Sequence, residues 1–422
     1  MTHSTGLLDA LDDHSLALET TDPTSDGDGL EALCDELADV RVVGLGESTH
    51  GTREFFELKH RLVRELVERH GLRTFAIEAG FGEARRVNAY VRDGEGSAEE
   101  VVEGMQFWTW RTESFVAFVE WLREFNRDRE PDEQVSFWGV DAQYAAASAD
   151  HVVAFLERAA GDPIEGLDAL AADGLYGYVG ETDDAVTLKR AREIVDRTNS
   201  RFDADREALV DATDERAWRL ARQHVRSMVD AVAFAESTAD GPPDADALAR
   251  RDRAMADTTD WVLEYTGADA VVLWAHDGHL ARDPMHPEHL ETAVETLGSH
   301  LDDDHGDAYH PVALVFGSGS FQAIGETADG TRGLRAFSVD EPTDSLEADL
   351  HALGDDIAYL DFESARADSR LVEWFQDAHR MHAIGAHYAP DDAGNWTTYD
   401  LGRAFDGALY VDETTRARPA ND

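Results

Sequence analysis

Six short apolar runs, set between long amphipathic stretches, constrain this chain more than any other feature. They lie at 41–45, 73–77, 135–140, 270–274, 312–316 and 357–360. Each is nearly continuous in apolar residues, the pattern of a strand covered on both faces; a half-exposed strand alternates instead. The stretches between them carry helical periodicity. That alternation predicts an α/β fold, with a mainly parallel central sheet flanked by helices through right-handed crossovers. One interval breaks the rhythm. From 140 to 270 there is no strand pattern, and helical periodicity returns at 217–235 and 245–264, with loops at 161–180 and 239–244. This reads as a large helical insertion, about 145–266, covering the carboxyl edge of the sheet. Residues 1–30, rich in Thr, Asp, Ser and Gly around Pro23, read as a short helix plus a loose acidic loop. The remainder, 31–422, reads as one α/β domain.

In an open parallel sheet, ligands bind beyond the carboxyl ends of the strands. The residues just past each strand end are therefore the candidates for a site. Glu47 and His50 come after the first strand, in Gly46-Glu47-Ser48-Thr49-His50-Gly51. Glu78 comes after the second, Asp141 after the third, and His276 and His279 after the fourth, in Trp274-Ala275-His276-Asp277-Gly278-His279. The fifth leads into the small loop Gly317-Ser318-Gly319-Ser320. A lone Asp or Ser after a strand is usually a helix cap, and Asp141 and Ser318 are open to that simpler reading. A single HxxH is weak evidence by itself. Glu78 is harder to set aside, because it continues the apolar run Phe75-Ala76-Ile77 and glutamate seldom enters a core unpaired.

Lys59 offers a separate test. In the helix expected at 52–69, Phe55, Phe56, Leu58, Leu62, Val63, Leu66 and Val67 form one stripe at about 100° per residue. Lys59 falls inside that stripe. A buried ammonium is costly unless paired, so a partner in Glu47 or Glu78 is expected. The simpler reading is snorkelling to the rim.

Composition narrows the function classes. Acidic side chains number 88 against 37 basic, for a net charge of -51 spread over nearly every predicted helix. Such a surface fits screening by molar salt, as in haloarchaeal proteins. It offers no basic face for nucleic acid. Cys34 is the single cysteine, which rules out an intrachain disulfide or a cysteine-built metal site. No apolar run approaches a membrane span, and a cytoplasmic protein is expected.

These segments resemble the erythromycin esterase family. The resemblance runs in order through residues 44–56, then 75–81, the tryptophan-rich Phe107-Trp108-Thr109-Trp110-Arg111-Thr112-Glu113, then 274–279 and 405–411. It implies an α/β core with much added helix, and hydrolysis of a cyclic ester without a covalent intermediate. It implies His50 as general base, Glu47 and Glu78 as supporting acids, and His276 and His279 as the later histidine pair. Lys59 stands where the best-known members carry arginine; lysine keeps the charge and loses the bidentate fork. Trp108, Arg111 and Asp141 are expected to bind substrate, a small-molecule ester or lactone.

Three alternatives remain beside this reading. Ser48 invites a nucleophile, but the strict G-x-S-x-G elbow is broken by His50, so Ser48 is read as loop structure. A zinc or manganese hydrolase could draw on Glu47, His50, His276 and His279, although the resemblance leans towards metal independence. A non-catalytic ligand-binding relative would be expected to lose the base or its partner, and both are present.

Overall fold

The computed structural model describes residues 5–25, 29–159, 162–173, 188–239, 241–287, 290–326, 330–390 and 393–420. The strands, in chain order, are β1 Ser15–Ala17, β2 Val42–Leu45, β3 Thr74–Gly80, β4 Ser136–Asp141, β5 Val271–Trp274 and β6 His286–Pro287. They continue with β7 Tyr309–Glu326, β8 Arg332–Val339, β9 Ile357–Asp361, β10 His379–His382, β11 Trp396–Tyr399 and β12 Gly407–Thr414. The main sheet runs β1-β9-β12-β7-β2-β5-β3-β4, with β8 paired to β7. The six strands from β12 to β4 are all parallel. β9, β1 and β8 add antiparallel edges. A small antiparallel sheet, β10-β11-β6, lies apart.

Every residue of β2, β3, β4 and β5 is buried, as continuous apolar runs require. The helix Arg53–Arg69 turns its expected stripe inward: Phe55, Leu58, Leu62, Val63 and Val67 are fully buried. Each such side chain contributes roughly 1.5–3 kcal/mol of burial. On the other face of the sheet, the helix Ala245–Thr266 packs Met255, Val262 and Leu263 against Trp138 and Leu273. That helix therefore belongs to the α/β layering as the crossover into β5. The helices Ala146–Ala159, Leu188–Ala204 and Glu215–Ser237 close on a core of their own, with Phe155, Ile194, Phe202 and Met228 at its centre.

Three sequence expectations need correction. The supposed loop Gly317-Ser318-Gly319-Ser320 is strand. β7 runs straight through it, pairing Ser318 with Glu413 of β12 and Ser320 with Ser338 of β8. Gly319, at φ +113, is where the strand changes partner; a Cβ there would lie 2.2 Å from the Thr414 carbonyl oxygen. The N-terminal segment is not merely helix and loop, since Ser15–Ala17 pairs with β9 along the sheet edge. β12, deep in the sheet, escaped the strand count although its residues carry part of the resemblance. Of the expected loop at 161–180, residues 162–173 are described, and Leu167–Asp173 among them is helical rather than loop; 161 and 174–180 lie outside the described residues.

Candidate active site

The parallel strands end along one edge, and the chain leaving β2 keeps close to that edge. Gly46 N–H donates to the Val312 carbonyl (2.9 Å) and Ser48 N–H to the Leu314 carbonyl (2.9 Å), so the turn rides on β7. Gly46 is required by contact: a Cβ would stand 1.8 Å from Asp277 Oδ1. This path fixes Glu47 in full burial and leaves His50 at the turn's outer end.

Glu47 receives three donors. His50 Nδ1 lies 2.6 Å from Oε1, the Trp274 indole N–H donates to Oε2 at 2.8 Å, and the Lys59 ammonium donates to the same Oε2. Lys59 also sits over the Trp274 ring, 4.1 Å from its centroid. Burial opposes the Glu47 charge, but the Lys59 charge and the His50 hydrogen bond outweigh it and hold the carboxyl below its usual range. Burial likewise pulls the Lys59 ammonium down to about 8 despite Glu47. Near neutral pH the pair is ionised. A carboxylate only accepts, so His50 Nδ1 carries the proton and Nε2 keeps its lone pair.

Glu78 is held by a different set. It lies within β3, beside an irregular register with β4 between Ile77 and Gly80. Arg251 donates to Oε1 (2.7 Å), the His276 backbone N–H donates to Oε2 (3.0 Å), and His279 Nε2 lies 3.2 Å from Oε1. Arg251 also forks onto Asp141, through Nε (3.0 Å) and Nη2 (2.9 Å). Asp141 is completed by the Ala142 N–H and the Gln143 amide. Burial works against the Glu78 charge, and His279 and Arg251 overturn it, holding the carboxyl well below its usual range.

The two histidines of the later segment differ in charge. His276 caps the short helix Asp277–Leu280, its Nδ1 accepting the Gly278 N–H at 3.0 Å. Its proton must therefore sit on Nε2, which is buried and has no hydrogen-bond partner among the described residues. Burial, with the neighbouring His50, pushes its pKa down to about 3, so it stays neutral. His279 Nδ1 meets Asp252 at 2.9 Å. Burial resists its charge, but Asp252 and Glu78 push its pKa up to about 10. Arg251 Nη1 also lies 3.0 Å from His279 Nε2. We favour the imidazolium, because two carboxylates flank the ring.

His50, Glu78, His276, His279 and Arg251 line one cavity of about 240 Å³, together with Trp110, Phe234 and Leu248. The His50 and His276 ring centroids are 5.2 Å apart, and Trp110 meets His50 edge-on at 6.5 Å. Glu47, Lys59 and Asp141 stand behind this wall. Trp108 and Arg111 do not line the cavity. Arg111 donates to the Met105 carbonyl (2.8 Å) and faces Glu103 (3.5 Å), while the turn of Trp108–Trp110 presents Phe107, Thr109 and Trp110 inward. Ser48 Oγ is buried, with no hydrogen-bond partner among the described residues. A wider groove, of about 860 Å³, is lined by His351 and Trp374 and shares none of these residues.

Among the described residues no group of three His, Cys, Asp or Glu side chains is arranged to hold a metal ion. The reason is visible for the competing set: Glu47 is taken by three donors, and His276 Nδ1 by a backbone N–H.

Sequence reasoning missed Arg251 and Asp252. The signal was present in the helix Ala245–Thr266, where Asp252, Met255, Ala256, Thr259, Val262 and Leu263 are buried at helical spacing. Asp252 thus falls in an apolar stripe, as Lys59 does. It also missed Gln143, Phe234 and His387 at the cavity wall.

The family model for erythromycin esterase matches residues 67–414. Erythromycin esterase type II of Escherichia coli is 23% identical over 424 residues, covering 96% of each chain. A crystal structure of a Bacillus cereus protein superposes with a TM-score of 0.83 at 20% identity, covering 99% of this chain and 100% of that one. An erythromycin esterase variant, solved in its open conformation, gives a TM-score of 0.74 at 16% identity, covering 97% and 100%. Both structures share the fold. No helix among the described residues is long and apolar enough to cross a membrane. By the extent of the family match, this chain belongs to the erythromycin esterase family.

Proposed function

We propose that this protein hydrolyses a carboxylic ester or lactone with a water molecule activated by His50. The family relationship supports a hydrolase. The observation that carries the finer reading is the 2.6 Å contact between His50 Nδ1 and Glu47, which leaves Nε2 as a base beside the cavity. Imidazole is the side chain most often used for such positioned proton transfer.

In the proposed reaction, water loses a proton to His50 Nε2 as its oxygen bonds to the carbonyl carbon. The carbonyl π electrons move to oxygen, and the His276 Nε2–H donates to the oxyanion. Its lack of any other partner is what supports this role. Collapse of the tetrahedral intermediate breaks the bond to the alkoxide, which takes the proton back from His50. Glu47 orients the base and balances its imidazolium, and Lys59 keeps Glu47 ionised. Glu78 and Arg251 position the strand-end backbone that carries His276. The full burial of Ser48 supports direct attack by water over an acyl-serine.

Screening esters and lactones in concentrated KCl with wild type and His50→Ala tests the proposal. Turnover is expected in wild type and should fall by about 10²–10⁴-fold in His50→Ala. Equal turnover by His50→Ala, or an acylated Ser48 trapped in a single turnover, would overturn it.

A further inference from the structure

The catalytic cavity has a neighbour. Gly385, Ala386 and His387 line both the cavity beside His50 and a second groove of about 610 Å³. Ile324, Glu326 and Arg332, at the tip of the β7–β8 hairpin, form its far wall. The shared segment is pinned in place. Ile324 N–H donates to the Ala386 carbonyl (2.9 Å), and Tyr388 N–H donates to the Ile324 carbonyl (2.9 Å). The Tyr388 ring packs on Phe321 and Phe337, each at 5.0 Å between centroids. The groove is therefore a preformed extension of the site.

Its charged groups are distinctive. In a chain with 88 acidic side chains, Arg332 and His387 form no ion pair with any described residue, although both are exposed to the groove. Burial, then the charges of Arg332 and His50, lower the His387 pKa. An anion beside the two groups would offset that repulsion and favour the imidazolium. Among the described residues that line the groove, Glu326, opposite Arg332 in the hairpin register, is the one acidic side chain, and it opposes such binding. The long-range field of a chain with net charge -51 also repels anions. At molar salt that field is screened within about 3 Å, so only cations in contact with a ligand can select it.

We propose that this groove is a second subsite, in which Arg332 and His387 hold an anionic substituent, such as a free carboxylate, of the ester being cleaved. The proposal deepens the ester-hydrolase reading and rests on it. The test compares monomethyl esters of succinate, glutarate and adipate with neutral isosteres in which an amide replaces the free carboxylate. In wild type the best-fitting anionic ester is expected to exceed its amide by about tenfold in kcat/KM, through KM, the effect of one charge-assisted contact. Arg332→Gln should remove the preference and leave kcat on the amide unchanged, while Glu326→Gln should enlarge it. Equal kcat/KM for acid and amide in wild type, or a preference that survives Arg332→Gln, would overturn the subsite. If no ester is turned over, the hydrolase reading fails and the groove is judged by NMR titration of His387 with succinate. A pKa rise in wild type that is absent in Arg332→Gln supports an anion site; no rise overturns it.

Discussion

Glu47 and Glu78 are two buried carboxylates at the carboxyl ends of strands in one parallel sheet, and each is kept ionised by three donors. They differ in where those donors come from. Two of the Glu47 partners, His50 and Lys59, lie within twelve residues along the chain, on the turn and helix after β2. The side-chain and backbone partners of Glu78, Arg251 and His276, lie 173 and 198 residues away. The first carboxylate is supported by local geometry and holds the proposed base. The second is supported by the closed fold, and ties the crossover helix and the His276 segment to the same edge. A shared chemical demand, an ionised carboxylate in a dry site, has been met once by nearby sequence and once by long-range assembly.

Experiments that break the two halves separately should show that asymmetry. The largest effect is expected on the Glu47 side, where His50→Ala should lower kcat/KM by about 10²–10⁴-fold without changing the melting temperature, as activity and thermal denaturation will show. His276→Phe removes the unpartnered N–H while keeping a ring, and should lower kcat by about 10²–10³-fold; a KM change alone would argue against an oxyanion role.

On the Glu78 side the effect should appear in folding as much as in rate. Arg251→Leu removes the cation shared by Glu78 and Asp141 and leaves the buried Asp141 without a countercharge, at a cost of about 3–5 kcal/mol in denaturant unfolding. Arg251→Lys keeps the charge but not the fork and should fall between.

The pH profile separates the halves further. Lys59 is charged below its pKa of about 8 and neutral above it, so activity should fall as pH rises through about 8 and Glu47 loses its cation. His279, near 10, and His276, near 3, keep one charge state across that range. Lys59→Arg should remove the limb or move it upward if Lys59 is its source. The smallest effect is expected from Arg111→Ala, whose kcat/KM should stay within about twofold of wild type, since surface changes away from a site contribute little.

Much of the architecture was legible because strand burial imposes a pattern on consecutive residues. The runs at β2, β3, β4, β5, β7 and β9 stood out for that reason, and Lys59 stood out against the stripe of its own helix. β8, whose faces alternate in exposure, and the three-residue β1 lack that continuous apolar signature. Trp108 and Arg111 were singled out within a tryptophan-rich segment, but side-chain direction within a three-residue turn is set by packing, and Phe107 and Trp110 face the cavity instead.

By itself, the sequence determined the sheet edge, the glycine-bounded turn carrying Glu47 and His50, and the inward ammonium of Lys59. All three arise from short-range periodicity and steric limits. Only the tertiary structure decided that Arg251 binds both Glu78 and Asp141, that His276 is neutral while His279 is charged, and that an arginine-bearing groove adjoins the site. Those outcomes depend on which distant groups meet in a dry interior, where burial and a single neighbouring charge decide where the protons sit.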